Sequence, residues 1–397
     1  MTSVTAHRLE SLQESSIREM TRLALRYGAI NLSQGLPDFP APEEVKQAAA
    51  QAIMEDHNQY SITWGLPETR QAVAHKMDTL YGIHADPDRH ITITCGVSEA
   101  IVAAIMAVVN PGDEVVIVEP FHENYVPAVR FAGGVPRFVT LSPPHFHLDI
   151  DELQQAFGPR TKAIILNTPH NPTGHVFTRE ELTHIGKLAE AWNSVIISDE
   201  IYEHILYDNR AHVPPATLPG LEKRVITLGG LSKTYAVTGW RLGYAVIPND
   251  TLSRAFRTVH DYMTICAPTP LQRAAVVALG LPSSYYEQQK RAYALRRELI
   301  VEALQEAGFQ VHPPEGAYYL LADFSPLGWT KDDVAFAHWL TREVGVAVVP
   351  GSTFYHRKEL GVAQVRFAFA KKFSTLEEAG RRLRRVRERI GLEEHAS

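Results

Sequence analysis

Arg224-Val-Ile-Thr-Leu-Gly-Gly-Leu-Ser-Lys-Thr-Tyr-Ala-Val-Thr-Gly-Trp-Arg-Leu-Gly-Tyr-Ala-Val-Ile247 is the stretch on which the reading of the fold turns. It opens and closes on apolar runs, Arg224–Leu228 and Gly243–Ile247, that do not alternate with polar residues. Runs of this kind suit strands buried on both faces of a sheet. Between them a glycine-containing turn carries Lys233, and a Thr-Gly-Trp-Arg turn carries Arg241. A lysine at the end of a strand, near an anion-binding arginine, suits a carbonyl cofactor that bears a phosphate. The amine can form a Schiff base, and the guanidinium can fork onto phosphate oxygens.

The same pattern extends upstream. Ile91–Thr94, Glu114–Val118, Ala163–Asn167 and Ser194–Ser198 read as further strands, separated by helix-forming stretches. Strands alternating with helices predict an α/β fold with a mostly parallel sheet, whose ligands sit beyond the carboxyl ends of its strands. Before this region lie a polar, helix-prone arm over residues 1–30 and a loop, Asn31–Pro40. Two helices follow, at Pro42–Ile53 and from Glu68 to Leu80. After Leu281-Pro-Ser-Ser284 the pattern changes. Residues 284–308 read as one long helix. Tyr318–Leu321, Val346–Val349, Val365–Phe369 and a basic helix from Thr375 then read as a smaller α/β unit, with Glu393–Ser397 frayed at the end. The predicted division is an N-terminal arm (1–45) joining the small domain, a large domain (46–283) and a C-terminal small domain (284–397).

The 397 residues are 45% hydrophobic and 21% charged, with a formal net charge of −6. That balance provides no basic field for nucleic acid or anionic membrane. The longest apolar run, Ala100–Val109, is about half of a membrane span and reads as a buried helix. Only Cys95 and Cys266 are cysteines, which points to a reducing, cytoplasmic setting. Residues Met1–Glu10 contain no apolar core of a signal peptide. Two further clusters read as solvated surface: His145-Phe-His147 with Asp149 and Asp151, and the Arg381–Arg387 run among Glu377, Glu378 and Glu388. No metal site is expected.

The polar candidates fall just after successive strands. Gly96, Val97 and Ser98 follow Thr94 at a helix start and offer backbone N–H groups and a hydroxyl to an anion. Asn171 follows Asn167 in a proline-braced loop. Asp199 and Tyr202 follow Ser198, and Lys233 follows Leu228. Alone, each has an ordinary explanation as a cap, a turn or a surface charge. Together they supply an amine, a carboxylate, a phenol, an amide, a guanidinium and a phosphate cradle.

Four motifs carry a resemblance: His170-Asn-Pro-Thr-Gly174, Asp199-Glu-Ile-Tyr202, Ser232-Lys-Thr-Tyr-Ala-Val-Thr-Gly-Trp-Arg241 and Val365-Arg-Phe-Ala-Phe369. From about Asn31 to about Arg385 the chain resembles the class I/II aminotransferases, fold-type I enzymes dependent on pyridoxal 5'-phosphate (PLP). The resemblance implies that Lys233 forms the Schiff base with PLP and later moves the substrate proton. Asp199 would pair with the pyridine nitrogen, and Tyr202 and Asn171 with the phenolic oxygen. Arg241, Ser98 and the Gly96–Val97 backbone would hold the phosphate, with Ser232 beside the lysine. Tyr60 would reach the phosphate of a neighbouring subunit, which implies a homodimer. Arg366 would clamp the substrate α-carboxylate, with Asn171 and the Gly35 backbone closing over it.

Two positions depart from the family pattern. His122, in Glu119-Pro-Phe-His-Glu-Asn-Tyr125, stands where relatives stack an aromatic ring on the cofactor, and an imidazole can also titrate. If it points away, Phe121 or Tyr125 is left as the wall. Gly230 stands where a serine usually touches the phosphate.

The implied reaction moves an amino group from an L-amino acid to a 2-oxo acid such as 2-oxoglutarate. A β-lyase acting on cysteine conjugates and an aspartate aminotransferase would use the same site. A non-enzymatic binding protein of this fold would carry a DNA-binding extension, and none precedes Asn31. The side-chain pocket is expected to draw on Leu36–Phe39, Tyr60–Trp64, His122, Tyr125, Tyr262–Cys266 and Phe354. The sequence assigns no second arginine for a distal carboxylate. This favours aromatic or broad neutral donors.

Overall fold

The computed structural model describes residues 4–10, 12 and 14–394. An eight-stranded sheet forms the larger body. In chain order its strands are β2 (Ile91–Thr94), β3 (Glu114–Glu119), β4 (Val135–Ser142), β5 (His147–Leu148), β6 (Thr161–Asn167), β7 (Val195–Asp199), β8 (Val225–Gly230) and β9 (Gly243–Val246). The short strand β1 (Ile30–Asn31) belongs elsewhere. The spatial order is β2-β9-β8-β7-β6-β3-β4-β5. Pairing is parallel from β8 through β7, β6 and β3 to β4. β9 runs antiparallel to both of its neighbours, and β5 antiparallel to β4.

The apolar runs do not alternate because both faces of the sheet are covered. In β3, Val116 and Val118 join one core, while Val115 and Ile117 join the core on the opposite face. In β6, Ile164 and Leu166 divide from Ala163 and Ile165 in the same way. The predicted buried helix is Val97–Val108, whose Ala100, Ala103, Ala104 and Ile105 are completely buried.

A four-stranded sheet of order β10-β11-β14-β13 forms the second body, from Gln310–Val311, Tyr319–Asp323, Gln364–Ala368 and Val349–Pro350 respectively. Its own core includes Ile300, Leu304, Phe336, Leu340 and Phe367. Helix Ser283–Ala307 lies along it and ends at Gly308 in the left-handed region. The expected strand Val346–Val349 is instead two strands. β12 (Val346–Ala347) pairs in parallel with β1, and β13 pairs with β14. The N-terminal segment is thereby tied to the second body.

Strands β4 and β5 are absent from the sequence reading. Pro136 near the start of β4 lowers its strand character, and its first half is exposed, as expected at a sheet margin. The basic C-terminal segment forms two helices, Phe373–Leu383 and Val386–Glu394. The end expected to be frayed is helical as far as Glu394, and residues 395–397 lie outside the described residues. Among the described residues no helix is long and apolar enough to cross a membrane.

Five helices near the N-terminus bear on the site or support it: α1 (Ser16–Tyr27), α2 (Glu43–Met54), α3 (Pro67–Tyr81), α4 (Val97–Val108) and α5 (Tyr125–Phe131). α1 is capped by Ser15, whose Oγ accepts from the Arg18 N–H, and it ends at Gly28 in the left-handed region.

Candidate active site

The carboxyl ends of β3, β6, β7 and β8 meet the Arg366 face of β14 around a cavity of about 420 Å³. Its lining includes Gly35, Val97, Ser98, His122, Asn171, Asp199, Tyr202, Ser232, Lys233, Arg241 and Arg366. Gly96 flanks this set. Its φ of 78° opens α4, and a Cβ there would lie 2.5 Å from Nη2 of Arg241. Glycine thus lets the helix start and the guanidinium approach one another. Arg241 itself has φ 53°, and its Nη1 donates to the Thr238 carbonyl at 2.8 Å.

Lys233 lies just past β8, in the turn at Ser232–Tyr235. Its Nζ donates to the Gly35 carbonyl at 3.0 Å, and Tyr318 Oη donates to the same carbonyl at 3.0 Å. Nζ also stands 5.9 Å and 5.8 Å from the ring centroids of Tyr202 and Tyr318. Any Cβ at Gly35 would overlap the Tyr319 hydroxyl, at 1.7 Å. The loop can take this path only with glycine at that point.

Asp199 ends β7 and is 3% exposed. Burial raises its carboxyl to about 6, opposed by hydrogen bonds from Tyr125 Oη and the Ile201 N–H and by the Lys233 charge. The Tyr125 bond is 2.8 Å long. A carboxylate held at such desolvation cost suits a cationic partner in the cavity, such as a protonated ring nitrogen. The neighbouring loop is set from the same strand ends. Asn167 Nδ2 donates to the Asp199 carbonyl at 2.9 Å, and Asn167 Oδ1 receives the Asn171 N–H at 2.7 Å.

Arg366 is 1% exposed in the middle of the small sheet, paired in register with Leu321 and Val349. Nη1 donates to Asn171 Oδ1 at 3.0 Å and Nη2 to the Ser33 carbonyl at 2.5 Å. Its guanidinium lies 4.5 Å from the Tyr319 ring and 4.9 Å from that of Phe354. Among the described residues Nε has no hydrogen-bond partner, and it is shielded from solvent. A buried cation with one free donor suits an incoming carboxylate.

His122 lines the cavity. Its ring meets Tyr125 edge-on at 5.7 Å, and Nδ1 is shielded without a partner among the described residues. Desolvation, reinforced by the charges of Arg366 and Lys233, pushes the imidazole down to about 3, so it stays neutral near pH 7. Tyr202 Oη donates to Tyr319 Oη at 3.1 Å, and burial pushes its phenol well above the usual range. At Gly230 a Cβ would stand 3.0 Å from both Ile201 Cδ1 and the Leu242 carbonyl. A serine would be crowded there, which accounts physically for the departure.

Some expected wall residues lie elsewhere. Tyr60–Trp64 and Tyr262–Cys266 do not line this cavity within one chain, and Tyr60 and Tyr262 are 78% and 91% exposed. Other residues enter without having been anticipated. Ser15, Ile17 and Arg18 come from the start of α1, with Gln34, Glu123 and Tyr319. Ser15 Oγ donates to Glu123 Oε1, which ties α1 to the loop after β3. Tyr125 could have been assigned, because it sits in the segment following β3 as the other polar candidates follow theirs.

A lysine, a buried carboxylate and a buried arginine, gathered where a parallel sheet meets a smaller one, define a PLP-dependent transferase of fold type I. The chain belongs to the class I and II aminotransferase family, whose model matches residues 27–383, and it is an aminotransferase. It is 38% identical to the methionine aminotransferase of Escherichia coli (strain K12), over 96% of this chain and 97% of that one. It is 34% identical to human kynurenine–oxoglutarate transaminase 1, over 96% and 97%. Among solved structures, the N-succinyldiaminopimelate aminotransferase of Mycobacterium tuberculosis superposes with a TM-score of 0.94 at 38% identity, covering 96% of this chain and all of that one.

Proposed function

We propose that the protein binds PLP at Lys233 and transfers the amino group of neutral or aromatic L-amino acids to a 2-oxo acid. The observation that carries this reading is the placing of Lys233, Asp199 and Arg366 around one cavity. The residues fit the cofactor: an N–H and hydroxyl cradle at Val97, Ser98 and Arg241, a buried carboxylate, and a cation with a free donor.

In this reading Lys233 would hold the cofactor at its carbonyl carbon. Asp199, steadied by Tyr125, pairs with the ring nitrogen, and Tyr202 and Asn171 face the phenolic oxygen. His122 packs against the ring as a neutral side chain, which preserves the cationic partner that Asp199 needs. Ser232 and Ser98 add hydroxyls to the phosphate end. When bound, the protonated ring supplies the electron sink for bond breaking at the substrate Cα. Arg366 takes the α-carboxylate through its unpartnered Nε–H and so fixes which Cα bond points at Lys233. The Gly35 loop closes over that carboxylate. The Lys233 amine would carry the proton to and from the substrate Cα. The neutral lining at Leu36, His122, Tyr125 and Tyr319 supports neutral and aromatic side chains.

The reading also includes a homodimer in which Tyr60 reaches the partner's phosphate, supported by the exposure of Tyr60 and Tyr262. A division into an arm (1–45), a large domain (46–283) and a small domain (284–397) is supported by the two separate sheets and cores. The two free cysteines support a cytosolic setting.

The test is spectroscopic. Purified protein loaded with PLP should show the visible absorbance of a lysine-bound cofactor, and an amino donor should bleach it. Retention of that band in Lys233→Ala would refute the assignment. In a donor screen with 2-oxoglutarate, aspartate turning over far faster than phenylalanine, kynurenine, glutamine or methionine would overturn the donor class.

A further inference from the structure

Among the described residues the cavity is lined by four formal cations, Arg18, Lys233, Arg241 and Arg366, and by two anions, Asp199 and Glu123. On the function proposed above, which this inference extends, three of the cations have tasks. Lys233 bonds the cofactor, Arg241 faces its phosphate and Arg366 takes the α-carboxylate. Arg18 remains. It lines the cavity from the first turn of α1 and is exposed, whereas Arg366 is buried. Among the described residues its guanidinium makes no ion pair, whereas Arg22, one turn on, is held by both oxygens of Glu14 at 2.6 and 2.9 Å. The nearby anion, Glu123, receives the Ser15 hydroxyl.

A dicarboxylic 2-oxo acid brings two carboxylates into the cavity. One is matched by Arg366. The other extends from Cα toward the mouth and needs a cation, since Glu123 repels it there. We propose that Arg18 receives the distal carboxylate of a dicarboxylic acceptor and is the residue that lets a neutral-lined pocket also accept 2-oxoglutarate. A neutral donor leaves Arg18 solvated at the mouth, so one pocket serves both halves of the exchange. The guanidinium is presented by a helix tied to the loop after β3 through Ser15 and Glu123. Its position therefore depends on that contact.

The test uses the PLP-loaded protein and two unreactive probes of equal chain length, glutarate and pentanoate, titrated calorimetrically. Arg18→Gln should weaken glutarate relative to pentanoate by about fivefold or more, the scale of an exposed charge pair with favourable geometry. The kcat/KM ratio of 2-oxoglutarate to 2-oxopentanoate should fall by a similar factor, and Arg18→Lys should restore part of it. Glu123→Gln, whose amide oxygen still accepts the Ser15 hydroxyl and keeps the helix in place while removing the negative charge, should raise the ratio. An unaltered ratio in Arg18→Gln, or a lowered one in Glu123→Gln, overturns the assignment of Arg18 while leaving the aminotransferase reading intact. If no 2-oxo acid restores the absorbance bleached by an amino donor, the reading of the reaction fails, and this inference fails with it.

Discussion

The floor and the mouth of the cavity are built on different physical terms. On the floor, Asp199, Asn171, Tyr202 and Arg366 are nearly inaccessible to solvent and each is hydrogen-bonded to another part of the fold. At the mouth, Arg18 is exposed, and Glu123 is held by a hydroxyl from an N-terminal segment. Buried polar groups resist change because leaving one unpaired costs the full desolvation of the group. Exposed charges are screened by water and can be exchanged at small cost. On the function proposed, the floor therefore fixes the type of reaction, and the mouth adjusts which substrates enter.

That contrast is open to direct attack. Lys233→Ala should produce the largest effect, a fall in kcat of about four orders of magnitude or more for every donor, because on the proposed function it removes both the covalent attachment and the proton carrier. Arg366→Gln should lower kcat/KM for amino donors by about a hundredfold, in line with truncation of a buried, hydrogen-bonded charge. Its effect should greatly exceed that of Arg18→Gln on any donor; equal effects would erase the distinction between floor and mouth.

Tyr125→Phe should cost about tenfold in kcat, the scale of one hydrogen bond to a charged group. Its sign can be checked by pH. The phenol stabilises the ionised Asp199 carboxylate, so its loss should raise the pKa of that group and move the acid limb of the activity profile to higher pH. A limb that moves to lower pH would contradict the role assigned to Tyr125.

A smaller effect concerns stability without cofactor. Burial holds His122 and His170 down at about 3 and His204 at about 4, each below an ordinary value of 6.5. Groups lowered in the folded state contribute stability above the unfolded pKa and lose it as pH falls toward the folded value. Asp199, raised to about 6, acts oppositely: its contribution is present at low pH and is lost as pH rises through about 6. Between pH 6.5 and 4.5 the three imidazoles outweigh the one carboxyl. The melting temperature of the apo-protein should fall across that window as pH is lowered. Asp199→Asn should steepen the fall, and His122→Gln should flatten it.

The floor was legible in the sequence and the mouth was not, for a reason that can be located. Asn171, Asp199 and Lys233 each follow a non-alternating apolar run, so reading the runs as buried parallel strands places all three at one edge of the sheet. Arg366 needed more. It lies 195 residues from the Asn171 it donates to, and only the family motif connected the two. Tyr125 sits after β3 as the others sit after their strands, yet no local feature announces that its hydroxyl reaches Asp199. Arg18 belongs to an amphipathic helix whose pattern shows which face is buried. What that helix covers depends on the β1–β12 pairing and on the Ser15–Glu123 contact, both long-range. The same kind of pairing divided Val346–Val349 between two sheets.

The most direct test of the central claim is to identify the residue that carries the cofactor. Borohydride treatment of the PLP-loaded protein should fix the cofactor by one irreversible bond, and peptide mass mapping should then find the added pyridoxyl mass on Lys233 alone. The mass on another lysine, or on none, would contradict the account.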